Sequence, residues 1–236
     1  MNRVLTFFLL LTFTLPSLAQ SNFNKISIGA GAGLTQSFTE VAKHDFGLAG
    51  YGTLDYLFTP FISLGLEVQK GEINGGDFRN DPRNRQFVNS YTAFSVVGKV
   101  SLGALVDDRY DGVSAVLKGL YFGPGVGVIN NSTLFTTGLA PSNPDRTLTA
   151  EIASKDVYFP LNLGINVYFA NAEGFYRYAL NFNYQGNITL GEGLDGYDDS
   201  RAEFKSGKFD MYTFFSVGLK YNFGKLGLSR KNFRKY

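Results

Sequence analysis

The sequence predicts an all-β chain: an eight-stranded antiparallel up-and-down transmembrane β-barrel, preceded by a signal peptide. Three observations carry that prediction. The N-terminus reads as an export signal, eight later runs alternate apolar with small or polar residues, and the connections alternate between tight and long.

The export signal occupies residues 1–19. Arg3 supplies the positive start, Val4 to Leu15 is an apolar run broken only by Thr, and Pro16-Ser17-Leu18-Ala19 sets small residues before a cut ahead of Gln20. About a dozen apolar residues fall short of the roughly 20 that a spanning helix needs. No later stretch approaches that length either, so a mature chain that crosses a membrane must cross it with strands.

Composition agrees. Among 236 residues there are 23 Phe, 14 Tyr and 28 Gly, which favours β-structure with close backbone approaches over helical bundles. Cysteine is absent, which excludes disulfides and thiolate metal sites. A small exported fold often leans on disulfides; closing a sheet on itself is another way to hold it together. A net charge of +2 gives no argument for nucleic acid or for an acidic partner.

The eight runs follow in order, each with two opposed faces. Ile26, Ile28, Ala30, Ala32 and Leu34 oppose Ser27, Gly29, Gly31, Gly33 and Thr35. A rougher run over 47–58 sets Leu48, Leu54, Tyr56 and Phe58 against Ala49, Tyr51, Thr53 and Asp55. The third sets Ile62, Leu64, Leu66 and Val68 against Ser63, Gly65, Glu67 and Gln69. In the fourth, Phe94, Val96, Val100 and Leu102 oppose Ser95, Val97, Lys99 and Ser101; in the fifth, Leu120, Phe122, Val126 and Val128 oppose Tyr121, Gly123, Gly125 and Gly127. The sixth runs from Phe159 to Phe169 against Asn162, Gly164 and Asn166. Tyr178, Leu180, Phe182 and Tyr184 then oppose Arg177, Ala179, Asn181, Asn183 and Gln185. Last, Phe215, Val217, Leu219, Tyr221 and Phe223 oppose Ser216, Gly218, Lys220 and Asn222.

A soluble sandwich also alternates. The second face here is rich in Gly, Ser and Asn, which suits a narrow lumen, and many apolar faces end in Phe or Tyr, as aromatic girdles do. Long connections are expected at 36–46, 72–90, 131–155 and 187–208, and tight ones at Thr59-Pro60 and 170–175. The link at 105–117 is longer than its side of the barrel requires and is expected to hold a small helix or ordered loop.

The closing run, Phe215-x-Val217-x-Leu219-x-Tyr221-x-Phe223, resembles the signal read by the outer-membrane assembly machinery of Gram-negative bacteria. Ile62-Ser-Leu-Gly-Leu-Glu-Val68 and Leu120-Tyr-Phe-Gly-Pro-Gly-Val-Gly-Val128 resemble recurrent segments of small porin-like, OmpA/OmpX-type barrel domains. This resemblance of pattern spans roughly 25–223. It implies residence in the outer membrane, contact with its lipids and lipopolysaccharide, and a passing partnership with the assembly machinery. One departure is plain: 13 residues follow Phe223, among them Lys225, Arg230, Lys231, Arg234 and Lys235, and none is acidic. The expected organisation is therefore a barrel over 20–223 and a basic periplasmic tail over 224–236.

Candidate sites follow from charge. Asp55, Glu67, Lys99, Arg177 and Lys220 fall on predicted inner faces. Unpaired charge in a narrow interior is costly, so opposite signs are expected to meet. Eight strands leave an interior that side chains just fill, which favours a plugged core over a selective pore. His44, the single histidine, lies beside Lys43 and Asp45 in the first long connection; no pattern marks a serine partner for it, and a solvated loop residue is expected. Asp195, Asp198 and Asp199 lack the spacing of a calcium loop. Arg79, Arg83 and Arg85 could meet surface polysaccharide or simply solvent. Gly29, Gly31 and Gly33 lack both the spacing and the helix of a phosphate loop.

No catalytic residue, metal site or cofactor is implied. The expected role is a non-enzymatic scaffold whose outer loops or periplasmic tail meet protein partners, including the version that resembles accessory subunits of outer-membrane assembly or secretion machineries. A narrow diffusion pore and a lipid-modifying enzyme are the alternatives in function.

Overall fold

Alternation at period two forces each run into one wall strand with a face for each environment. The computed structural model describes residues 25–39, 43–77, 79, 86–105, 116–137, 139–140, 143–147, 153–172, 175–191, 194, 210–223 and 228–229. In chain order the strands are β1 Ile26–Phe38, β2 Phe46–Thr59, β3 Ile62–Gly76, β4 Gln86–Ser101, β5 Leu120–Thr137, β6 Leu139–Ala140, β7 Asn143–Thr147, β8 Ala153–Ala170, β9 Phe175–Thr189, β10 Met211–Phe223 and β11 Leu228–Ser229. β6 and β7 pair only with each other, in the connection between β5 and β8.

The other long strands form one ring. Each pairs antiparallel with its sequence neighbour along the wall, and β10 pairs with both β9 and β1. The ring therefore has eight strands and no free edge. Following cross-strand partners once round from Ile26, past the interruption at Pro124, returns to β1 at Gln36, ten residues on. That stagger tilts the strands and sets the bore.

The two faces settle the environment. Leu48 is 71 % exposed and Leu219 63 %, whereas Gln69, Gln185 and Asn187 are fully buried. This is a soluble core turned inside out. Soluble monomers rarely expose a contiguous apolar patch beyond about 300–600 Å²; here the apolar surface runs round the whole wall. Aromatic contacts line the end where β1 begins and β10 finishes: Tyr56 with Phe58, Tyr178 with Tyr221, and Tyr221 with Phe223. These side chains form an aromatic girdle at that end, the one expected to face the periplasm.

The turns at that end are tight for local reasons. Thr59 Oγ1 accepts the backbone N–H groups of Phe61 and Ile62 at 3.2 and 3.0 Å, closing the turn at Pro60. Asn171 Oδ1 accepts the Phe175 N–H at 2.8 Å and does the same between β8 and β9. At the start of the β4–β5 link, Leu102–Ala104 forms a 3₁₀ turn, which takes Leu102 off the expected wall face. Most of the helix expected at 105–117 lies outside the described residues, as do the signal segment and the basic side chains of the tail. Leu228 and Ser229 of that tail pair with Tyr176 and Phe175 of β9.

Strand limits depart from expectation at the outer end. β3 continues to Gly76, β4 begins at Gln86 and β5 continues to Thr137, inside stretches expected to be loops. The outward residues there are polar (Lys70, Glu72, Thr92, Ser90, Asn130, Ser132), so the hydrophobic alternation fades although the inward one persists at Ile73, Phe87 and Ile129. This part of the wall rises above the hydrocarbon and faces water.

Two prolines interrupt the wall. The β4–β5 register omits Gly98 and Lys99 opposite Gly123 and Pro124, and the β5–β8 register omits Gly125 and Val126 opposite Phe159 and Pro160. Proline has no N–H to give, and lipid offers no replacement. Asn162 Nδ2 donates to the Gly123 carbonyl at 3.0 Å from inside the barrel, supplying a partner beside the break.

Purified protein in detergent is expected to migrate faster on a gel when unboiled than when boiled, because the closed ring survives detergent until heated. Coincident bands would refute the closed barrel. Asn162→Leu is expected to lower the temperature at which the fast band disappears, by the loss of about 1–3 kcal/mol for an orphaned buried carbonyl.

Candidate functional site

Among the described residues, the densest set of buried polar side chains lies in the lumen. β9 supplies its frame: Asn181, Asn183, Gln185 and Asn187 occupy successive inward positions. Gln185 Nε2 donates to Glu67 Oε1 at 2.9 Å and to Asn162 Oδ1 at 3.0 Å. Gln69 Nε2 donates to the same Glu67 oxygen at 2.7 Å and to Gln185 Oε1 at 2.6 Å, and Tyr91 donates its hydroxyl to Gln69 Oε1 at 3.2 Å. Asn183 Nδ2 reaches Asn162 Oδ1 at 2.7 Å, and the Tyr121 hydroxyl donates to Asn183 Oδ1 at 3.0 Å. Asn181 Nδ2 donates to Tyr121 Oη and Asn166 Oδ1, and Tyr51 donates across the bore to Asn181 Oδ1 at 3.2 Å. One connected network thus ties β2, β3, β4, β5, β8 and β9 together through the middle.

Tyr51 can reach β9 because the stretch of wall it lies over, on β1 and β10, is bare. A Cβ added at Gly31 would lie 2.6 Å from the Tyr51 ring, and one at Gly218 would collide with its hydroxyl. Glycine at these two positions is a packing requirement.

Below this network lies the charge centre. Asp55 on β2 accepts Lys99 Nζ from β4 through Oδ1 and Lys220 Nζ from β10 through Oδ2, each at 2.8 Å. All three side chains are less than a tenth exposed. Lys220 also sits 6.0 Å from the centroid of the Tyr121 ring. A carboxylate bonded on both oxygens by two cations has little capacity left for a ligand.

Both ends are shut. At the periplasmic end Phe61 turns inward from its tight turn and packs with Leu57, Tyr168 and Tyr176. Between this plug and Asp55 remains a cavity of about 30 Å³, lined by Ser27, Lys99, Lys220 and Asn222 among others. That is room for water and no larger solute. At the outer end Leu194, 1 % exposed, enters from the β9–β10 connection and joins the cluster of Ile73, Phe87, Tyr91 and Ile129. Its carbonyl accepts Asn89 Nδ2 at 2.8 Å, and its N–H donates to Asp210 Oδ2 at 3.2 Å.

The expected charges are therefore placed in three ways. Asp55, Lys99 and Lys220 meet. Glu67 does not meet a cation: it is buried one inward step along and is held by amides, with no ion-pair partner among the described residues. Arg177 is half-buried near the periplasmic end of β9 and is not one of the cations on Asp55. Phe215, Val217, Leu219, Tyr221 and Phe223 line the outward face of β10. Lys225, Arg230, Lys231, Arg234 and Lys235 lie outside the described residues, as do Arg83, Arg85, Asp195, Asp198 and Asp199. His44 sits on the outer rim, its ring 5.1 Å from that of Phe38 and its backbone bridged to Gly75, beside the Lys43–Asp45 ion pair. The glycines at 29, 31 and 33 are wall positions on β1.

Sequence reasoning did not find Leu194 or the amide network. The Asn or Gln at every second position from 181 to 187 was the available signal for the network. Leu194 is a lone apolar residue in a polar connection and carried none.

The fold is that of a small outer-membrane β-barrel. No protein-family model matches the chain, and no curated protein sequence does. Among solved structures, Neisserial surface protein A is similar over 84 % of this chain and 97 % of its own, at 10 % identity and a TM-score of 0.46. Ail, the attachment invasion locus protein of Yersinia pestis, is similar over 85 % and 99 %, at 9 % identity and a TM-score of 0.49. The N-terminal β-barrel domain of Pseudomonas aeruginosa OprF is similar over 85 % and 98 %, at 14 % identity and a TM-score of 0.41. A likeness this distant is one of architecture. The membrane placement rests on this chain's own apolar wall and filled lumen.

Asp55→Leu strands two buried ammonium groups and is expected to cost about 3–5 kcal/mol, read as a lower urea midpoint for loss of the fast-migrating band. Replacing all three residues with apolar ones (Asp55→Leu, Lys99→Met, Lys220→Met) is expected to recover most of that loss. A single Asp55 variant as stable as the parent would show that the centre carries no weight.

Proposed function

We propose that this protein is a non-enzymatic scaffold of the Gram-negative outer membrane, closed to solutes, which presents its outer connections to partners outside the cell. The filled lumen carries this reading. A continuous amide network, a saturated charge centre and a plug at each end leave no described path wider than water. Activity then belongs to loops held on a stiff frame, with β3, β4, β5 and β8 raised above the bilayer as their base.

The rim around His44 supports the same reading over an enzymatic one. The imidazole lies against Phe38, and the adjacent cation and carboxylate satisfy each other. Leu228 and Ser229, which pair with β9, mark a second place for a protein partner on the periplasmic side, as an accessory subunit of an assembly or secretion machinery would need.

Purified protein in planar bilayers is expected to give no resolved single-channel steps, and Glu67→Ala is expected to lower stability without creating them. Regular steps from the parent protein would overturn the closed scaffold in favour of a pore. Crosslinking in intact cells, followed by purification of the full chain, is expected to recover partners through the outer connections; lipid A mass spectra that change on deleting the gene would instead favour an enzyme.

A further inference from the structure

We infer that the wall formed by β3, β4, β5 and β8 carries a binding site for a phosphorylated, multiply acylated glycolipid of the outer leaflet, of the lipid A class. The inference rests on the reading of the chain as an outer-membrane barrel and adds a ligand site to it. The observation that carries it is a pair of lysines placed directly above an apolar groove.

Among the described residues of the eight wall strands, the outward-facing cations are Lys70 on β3 and Lys155 on β8, both exposed. Register puts them in one row: Lys70 pairs with Thr92, Thr92 with Asn130, and Asn130 with Lys155. The ends lie three strand spacings apart, about 14 Å along a row that the stagger inclines to the bilayer plane, so Lys155 stands farther out than Lys70. Elsewhere the outer strand ends stay apolar on the outward face, at Phe38, Phe46 and Met211. Among the described residues of the wall strands, outward positive charge near the outer boundary is thus confined to one side.

Directly beneath this row, one outward position toward the hydrocarbon, lie Val68, Phe94, Val128 and Val157. Leu66, Val96 and Val126 form the next row down. Together they line a groove of about 400 Å³ on the outside of the barrel. A barrel wall is convex, so a groove there is a departure; short valines beside Leu66 and Phe94 leave the space.

The chemistry follows from that arrangement. Apolar walls of this kind bury acyl methylenes. Lysine stems lie along apolar surface while their ammonium groups reach the water boundary, which is where the phosphates of an anionic lipid sit. Two ammonium groups separated by three strands suit a head group with a phosphate at each end of two sugar rings. A phospholipid with one phosphate can engage one of them at a time. Thr92 and Asn130 lie between the lysines in the same row. Glu72 follows Lys70 on the same face, one position farther from the bilayer, so the positive row is narrow.

The test uses the full mature chain in detergent, incubated separately with bisphosphorylated hexa-acyl lipid A, its dephosphorylated form and phosphatidylglycerol, and read by native mass spectrometry. The parent protein is expected to retain one bisphosphorylated glycolipid, at least tenfold more than either other lipid. K70E/K155E is expected to lower that retention at least tenfold while the unboiled band still runs fast. Val128→Trp, which fills the groove and leaves both lysines, is expected to lower it as well, and serves should the double variant fail to fold. Lys43→Glu, in the first outer connection, is expected to change nothing. Equal retention of all three lipids, or unchanged retention in K70E/K155E, would overturn the site. A protein that conducts and still retains the glycolipid would overturn the closed scaffold and leave this site standing.

Discussion

The pairing of β1 with β10 is the constraint on which the rest of the structure depends. An unpaired peptide group in hydrocarbon costs several kcal/mol, and a sheet with two open edges would present a row of them on each. Thirteen residue pairs from Ile26–Phe223 to Phe38–Met211 remove both edges at once. Closure also fixes everything inside. With eight strands and a stagger of ten residues, the bore admits side chains and little else. Each inward residue therefore meets residues from the far wall, whatever their distance in sequence.

That confinement explains the difference between the two buried carboxylates. Asp55 is short and close to the β4 and β10 walls, and two lysines reach it. Glu67 lies among amides, and Gln69 and Gln185 share one of its oxygens. Both arrangements satisfy a buried carboxyl group, by opposite charge in one case and by oriented dipoles in the other. A buried ion pair adds little to stability compared with apolar packing, yet breaking one is costly. The centre at Asp55 is better understood as fixing which strands face one another than as glue.

The outward half of the fold was legible because lipid imposes a single rule on it. Every apolar position named from the pattern between Ile26 and Phe223 faces outward, apart from Leu102, which begins the 3₁₀ turn. The rule lapses where the wall leaves the bilayer, and there the strand ends at Glu72, Ser90 and Ser132 were hidden within presumed loops. The inward half was legible only as composition. Lys220 lies 165 residues from Asp55 in the chain, and no local pattern relates them. Their meeting depends on the β1–β2 register and on closure of β1 against β10, and the pairing of Asp55 rather than Glu67 depends on side-chain length within a given layer. His44 and the glycines of β1 were readable for a simpler reason, since the chemistry that would have made them functional needs companions that the sequence lacks.

The two prolines give the wall a mechanical character that its uniform strand order conceals. In a closed ring each hydrogen-bond ladder carries hoop tension, and the cross-section stays round while every seam is equally stiff. At Pro124 and Pro160 two neighbouring seams lose rungs at nearly the same height, and the inner residues there include Gly123 and Gly125, which have no side chains to brace the gap. The load passes to Asn162, a single side chain reaching across from β8. Hoop stiffness at that height therefore rests on an amide, and the same amide belongs to the network that holds Glu67. Deformation of the barrel's outline and rearrangement of its polar interior are, at this point, one motion.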